Sequence, residues 1–361
     1  MKILHLIATF EPGGAEKLFI EMSKDYNNDP SIELDVLILK KMSSKFLDQL
    51  SSLGINILNP ISSKLYDFNH IKKINSIINN YDLVQVHLVH AFYYLYFSKV
   101  FTKSKTKIVF TEHNVTNRRR DLYFFKFIDK FVYKKFDKIV CISEEVKNSL
   151  YKHTKNDSNF IVIENGINIE TFRTAKKISN IEFINFDSSV ICQVSSFTKQ
   201  KDQITLIKSL KFIDKKIKLI LVGDGPERVN CERLVKELNL EKRVLFTGIR
   251  LDVPNILKSS KINILSSVFE GLPLVALEAM STGNPFLGSD VPGINTLIKS
   301  QELLFKFSNE KSLAKKITIL LTNKRIFKQN IHLSQEISKV YDFNKMINKY
   351  KSCYLELHKN N

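Results

Sequence analysis

Short, continuously apolar runs recur along the chain, each followed by a longer segment of helical spacing, and the whole series occurs twice. In the first half the runs are "KILHLIA" (2–8), "ELDVLIL" (33–39), "INILN" (55–59), "LVQVHL" (83–88), "KIVFTEH" (107–113), "KIVCIS" (138–143) and "FIVIEN" (160–165). In the second they are "SVICQVS" (189–195), "IKLILVG" (217–223), "RVLFTG" (243–248), "INILSS" (262–267) and "PFLGS" (285–289). A strand that is apolar on both sides of its pleat is covered on both faces, so strands of this kind alternating with helices predict parallel sheets sandwiched by helices. The break near 166–188 separates two such series and predicts an α/β chain of two doubly wound, Rossmann-like domains, 1–172 and 173–340. Ligands of such sheets sit at the carboxyl ends of strands, and the expected site is a cleft between two facing domains.

The length of 361 residues fits this division, since it exceeds what one core usually organises. The net charge of +18 is uneven: residues 1–172 carry 24 Lys and Arg against 19 Asp and Glu, and residues 173–361 carry 31 against 18. Such a charge attracts phosphates, nucleic acid or acidic lipid, or is lysine spent on solvated faces. No RNP-like aromatic strand, zinc finger or helix-turn-helix signature is present, which argues against nucleic acid. Cys141, Cys192, Cys231 and Cys353 are scattered without metal-ligand spacing, as expected of thiols in a reducing cytosol. No apolar run has the roughly 18–20 residues of a spanning helix, and "MKILHLIATFEPGGAEK" reads as a buried first strand rather than a signal peptide. Segment 99–138 holds 12 Lys and Arg against 4 Asp and Glu. Within it, 118–138 interleaves aromatics with cations: either a helix lying on an anionic membrane surface, which we favour, or an ordinary helix packing its rings on the core.

Several residues stand where chemistry is done. Gly13-Gly14, between a strand and a helix, allows backbone N–H groups to approach an anion, or only makes a tight turn. Gly223 and Gly225 in "LVGDGPER" read more readily as a turn. His113, beside Glu112 and Asn114, leaves a strand at its carboxyl end; His87 and His90 share that geometry. Lys199 and Lys201 follow the first strand of the second series. In "SSVFEGLPLVALEAMSTGNPFLGSD" (266–290), Glu270 and Glu278 bracket an apolar run. They are an acid/base pair, two ligand hooks, or helix decoration. Ser267-x-x-Glu270 matches a capping box, and Pro273 suits a first helical turn, from which free N–H groups would point into the cleft.

Together these residues closely resemble the retaining glycosyltransferases of family 4, whose fold is GT-B. The Glu-x7-Glu of that family corresponds to Glu270 and Glu278, and "PGGAEK", "FTEHN", "VIENGIN", "KDQITLIKSL", "LVGDGPER" and "LFTGIRLDVPNIL" follow in the family's order. The resemblance implies that the helix 341–361 joins the first, acceptor-binding domain and that the second binds a nucleotide sugar, UDP- or GDP-linked. It implies that Glu278 meets the ribose and Glu270 the transferred sugar. The backbone of Leu274, Val275, Gly13 and Gly14, with Lys201, would hold the diphosphate. His113 would lie near the anomeric carbon and the base near Gly248–Arg250. No metal or other cofactor is implied. The implied product is a cell-surface polysaccharide such as capsule or lipopolysaccharide. The acceptor would be a glycan or lipid-linked glycan, and the setting cytoplasmic, on the inner face of the membrane.

One position departs from the pattern. Ser196 stands in "VSSFTKQKD" where the family usually has an arginine, and a lysine does not replace a bidentate phosphate contact. Lys199 or Arg250 is the expected substitute. A nucleotide-sugar epimerase of the same fold and a non-catalytic sugar-nucleotide-binding homologue are the alternatives. A glycosidase is disfavoured, because a loop residue and a mid-helix residue eight apart hardly bring two carboxyls to about 5–5.5 Å.

Overall fold

The computed structural model describes every residue except 12, 61, 88, 116–117, 187–188 and 360–361, and the side chains at 118, 121 and 123. The chain divides into two units, Met1–Asn165 with Lys345–Asn361, and Gly166–Asn344.

The first unit holds β1 (Lys2–Ile7), β2 (Glu33–Ile38), β3 (Asn56–Leu58), β4 (Leu83–His87), β5 (Lys107–Glu112), β6 (Lys138–Cys141) and β7 (Phe160–Val162) in one parallel sheet. Its order is β3-β2-β1-β4-β5-β6-β7, so the winding reverses between β1 and β4. On one face Ile74, Phe92, Leu95, Val132, Tyr133 and Val146 come down from four helices onto the sheet and close an apolar core. The opposite face is partly polar. There His5, Gln85 and Thr111 meet the helices Gly14–Asn27 and Phe343–Lys359.

The second unit begins with a short hairpin, β8 (Asn180–Ile181) and β9 (Ile184–Asn185). Its parallel sheet contains β10 (Val190–Val194), β11 (Lys218–Val222), β12 (Val244–Gly248), β13 (Ile262–Leu265), β14 (Phe286–Ser289) and β15 (Leu304–Phe305). The order β12-β11-β10-β13-β14-β15 reverses between β10 and β13. Two apolar clusters, one on each face, bury the helices against it. In a sheet of this kind the loops leaving the two strands at the reversal diverge and open a crevice. Here those are the loops after β10 and β13, which carry Lys201 and Glu270.

Every strand expected from the apolar runs forms, shortened by a residue or more. Three were not expected, β8, β9 and β15, each two residues long and too short to show a period. The two compact units divide at 165/166, a few residues before the expected 172/173. The helix Ile169–Arg173 accounts for the shift, because Phe172 is buried with Ile184 and Val190 in the second unit's core. Where the chain leaves the second unit, Ile167 N–H donates to Tyr341 O and Phe343 N–H to Ile167 O. Gly166 is required beside this bridge, since a Cβ there would lie 2.7 Å from Asp342 O.

Candidate functional site

In the second unit the loop after β10 is pinned from below. Gln193, on β10 and buried, donates to Lys201 O at 3.0 Å and accepts from Ser266 N–H and Oγ at 3.2 and 2.8 Å. Gln200 and the residues after β13 are stitched reciprocally: Val268 N–H donates to Gln200 O, and Gln200 Nε2 to Phe269 O at 2.8 Å. Both loops are thus one rigid piece. Lys201 Nζ lies 2.5 Å from Glu270 Oε1, and Ser267 Oγ donates to the same oxygen. The cation and the carboxylate, 69 residues apart in the chain, face one another in a largely buried setting.

A third loop supports Glu270 from behind. Its N–H donates to Pro292 O, and Gly293 passes so close that a Cβ would lie 2.0 Å from Glu270 O. Gly293 also has φ +84, in the left-handed region. Ser289 Oγ donates to Ser267 O at 2.5 Å. Gln193, Ser266 and Gly293 were missed in the sequence because their part is to hold other residues, which no local pattern shows.

The helix after Glu270 runs Leu274–Ser281 and has no side-chain cap; Pro273 is its N-cap rather than a first-turn residue. Ser267 and Glu270 lie too far before it to form the capping box. Leu274 and Val275 therefore present first-turn N–H groups beyond the reach of intrahelical acceptors. Glu278 is buried one turn further along, 7% exposed.

Ser196 is exposed, and its carbonyl accepts from Gln203 Nε2 at 2.9 Å. Gly223 and Gly225 shape this loop: a Cβ on either would strike the carbonyls of Ser195 and Phe197, at 2.1 and 2.5 Å. Gly248 ends β12 at φ +69 and its carbonyl accepts from Gly223 N–H. Arg250 is engaged by Asp252 through two bonds of 2.8 Å, so taking over the phosphate contact of the missing arginine would require breaking that pair. Lys199 is exposed.

In the first unit, Gly13 is the extended N-cap of the helix Gly14–Asn27. Its lack of a side chain leaves room for Glu16, whose Oε2 would lie 2.5 Å from a Cβ at position 13. Burial pushes the Glu16 carboxyl up to about 7, against the pull of its own backbone N–H. His113 follows β5, and burial lowers its imidazole to about 4. Behind it, His87 Nε2 lies 3.3 Å from His5 Nδ1, and both rings are driven towards neutrality by burial, His5 to about 3. His90 is exposed and stacks edge-on with Tyr66.

The loop after His113 is fixed by arginines that the sequence placed on the surface. Arg120 pairs with buried Glu112 and donates to Val115 O at 3.2 Å. Arg119 donates to Asp129 Oδ1 at 3.0 Å, and His153 Nε2 meets the other oxygen at 2.8 Å. Arg119 and Arg120 are thus internal, and the exposed cations of 118–138 among the described residues are the lysines of the helix Tyr123–Tyr133 and the turn after it. Among the described residues, no helix is long and apolar enough to cross a membrane, and no group of three or more His, Cys, Asp and Glu is placed to hold a metal ion.

Two family models match the chain, "Glycosyltransferase Family 4" over residues 12–171 and "Glycosyl transferases group 1" over 174–339. UDP-Gal:alpha-D-GlcNAc-diphosphoundecaprenol alpha-1,3-galactosyltransferase of Escherichia coli is 28% identical over 256 residues, 67% of this chain and 66% of that protein. The chain thus spans about two thirds of that relative's length. The O-antigen biosynthesis glycosyltransferase WclY of Escherichia coli is 24% identical over 372 residues, 99% of each. Among solved structures, Anabaena HepE in complex with UDP and glucose superposes with a TM-score of 0.83 at 20% identity, over 99% of this chain and 100% of that one.

Proposed function

For a chain that belongs to the family 4, group 1 glycosyltransferases and has their GT-B fold, we propose retaining transfer of a hexosyl or N-acetylhexosaminyl unit from a nucleotide sugar to a lipid-linked glycan in cell-surface polysaccharide synthesis. The observation that carries the reading is the Lys201–Glu270–Ser267 cluster beside an uncapped helix N-terminus. It sets a cation, a carboxylate and first-turn N–H groups at one crevice of one sheet. A UDP-linked donor is favoured because HepE was solved with UDP-glucose and the Escherichia coli galactosyltransferase is named for UDP-Gal. The lipid-linked acceptor is favoured by the diphosphoundecaprenol in that relative's name and the O-antigen in WclY's. The setting would be the cytoplasm, at the inner face of the membrane.

In this proposal the bond between the anomeric carbon and the diphosphate oxygen breaks, and the acceptor hydroxyl oxygen bonds to that carbon on the same face. Its proton passes to the departing phosphate. Negative charge grows on the diphosphate, where Lys201 and the first-turn N–H groups of Leu274 and Val275 stabilise it without reorganising. Glu278 holds the ribose and Gly248–Arg250 the base. The chemistry needs no metal.

A thermal-shift screen of UDP-, GDP- and ADP-sugars tests the donor, and the anomeric configuration of the product by NMR tests retention. Stabilisation by a UDP-sugar and transfer with an unchanged anomeric configuration are expected. Binding without transfer to any glycan would instead favour a sugar-nucleotide-binding homologue, the reading that Ser196 and the Arg250–Asp252 pair support.

A further inference from the structure

We propose that the outer face of the helix Tyr123–Tyr133 is a membrane-docking surface, with Phe124, Phe127 and Phe131 inserting among the acyl chains of an anionic bilayer and Lys126, Lys130 and Lys134 meeting its headgroups. The three phenylalanines recur at i, i+3 and i+7, one stripe of a helix, and are 68%, 66% and 57% exposed. Single exposed apolar residues are ordinary, whereas three aromatic rings in line on eleven residues form a contiguous patch that water does not favour. The inner face is fully occupied: Val132 and Tyr133 enter the core, and Asp129 is buried under Arg119 and His153. The outward rings are therefore not core residues left unpacked.

Charge selects the occupant. Lys126, Lys130 and Lys134 follow i, i+4 and i+8 beside the aromatic stripe and are all exposed. The one acid between 124 and 135, Asp129, faces inward. An apolar stripe edged by cations, with no outward anion among the described residues 124–135, matches the depth profile of an acidic lipid surface, apolar below and negative above. The surface rests on the proposed lipid-linked acceptor for its purpose, but its binding is measured without turnover.

The chain contains no tryptophan, so Phe127→Trp introduces a single fluorophore. With vesicles of equimolar phosphatidylglycerol and phosphatidylcholine, its emission is expected to shift to the blue and to be quenched by brominated acyl chains. Phosphatidylcholine vesicles should give neither effect, and Phe212→Trp, an exposed site in the second unit, should stay unquenched. Replacing Phe124, Phe127 and Phe131 together by serine should abolish co-sedimentation with the anionic vesicles, and Lys126→Glu with Lys130→Glu should weaken it about tenfold or more. Both variants should keep the wild-type melting temperature and transfer to a water-soluble acceptor. Absence of quenching, equal binding to neutral vesicles, or wild-type sedimentation of the triple variant overturns the proposal. So does a lipid-free dimer that the triple variant loses, which would make the face a contact between two copies. A wild-type chain that docks on vesicles but transfers no sugar would sink the proposed function and leave this surface standing.

Discussion

Glu270 carries a compensated charge before any ligand arrives, because Lys201 and Ser267 share its Oε1. In the proposed function, donor binding divides Lys201 between this carboxylate and the incoming diphosphate. Replacing Glu270 by glutamine keeps the shape and frees the cation. Transfer is expected to fall on the order of a hundredfold while affinity for the nucleoside diphosphate is unchanged or higher, measured by kinetics beside calorimetric titration. Lost nucleotide affinity would show that Glu270 holds the nucleotide instead. Gly293→Ala puts a methyl group against the Glu270 carbonyl and asks alanine to adopt φ +84. A stability loss of about 1–3 kcal/mol and a matching fall in kcat are expected, with little change if the loop can move aside. The pairing of these loops was not legible in the sequence. Glu270 and Glu278 stood out because carboxylates in an apolar run need a reason, but Lys201 lies 69 positions away from its partner.

At the scale of elements, the strands were legible because burial on both faces writes an unbroken apolar run, while the character of the basic segment was not. Arg119 and Arg120 look like surface cations until folding brings them Asp129, ten residues on, and Glu112, eight residues back. Arg119 also lies over the rings of Tyr93 and Phe125, 5.0 and 5.4 Å from their centroids. The described aromatics of the helix thus divide into two sets, Phe125 and Tyr133 inward and Phe124, Phe127 and Phe131 outward. Removing one partner of a buried ion pair leaves the other charge stranded. Arg120→Met should therefore destabilise the first unit by about 3–5 kcal/mol in denaturant titration. Adding Glu112→Gln should restore part of that loss. If the double variant is no better than the single one, the arginine stem, not the charge pair, is what the fold requires.

At the scale of the molecule, the two units hold separate cores, and the first is completed only by the end of the chain: Met346, Ile347, Tyr350 and Tyr354 are buried in it. Tyr354 Oη donates to Gln85 and receives from Tyr26 Oη at 3.3 Å, and Lys351 pairs with Asp25 and Asp29 at 2.7 and 2.9 Å. The same polar face carries His5, which burial holds neutral, and His87 beside it. Each has a folded pKa below its unfolded value near 6.5, so the native state binds fewer protons than the unfolded chain once the pH drops below that value. Their stabilisation is full above pH 6.5 and is lost as the pH falls towards about 4 for His113 and about 3 for His5. Glu16 and Glu112 work the other way, since burial raises them and acidification relieves the cost of their charge. Four lowered imidazoles, those of His5, His87, His90 and His113, outnumber the two raised carboxyls, so the first unit should melt earlier on acidification between pH 6.5 and 4.5. The second unit has no buried histidine among its described residues and should shift less. Calorimetry at several pH values should resolve two transitions that draw apart, and His87→Asn should reduce the separation. A single transition moving as one at every pH would mean that the units unfold cooperatively, and that the histidine face does not set the acid limit of its own unit.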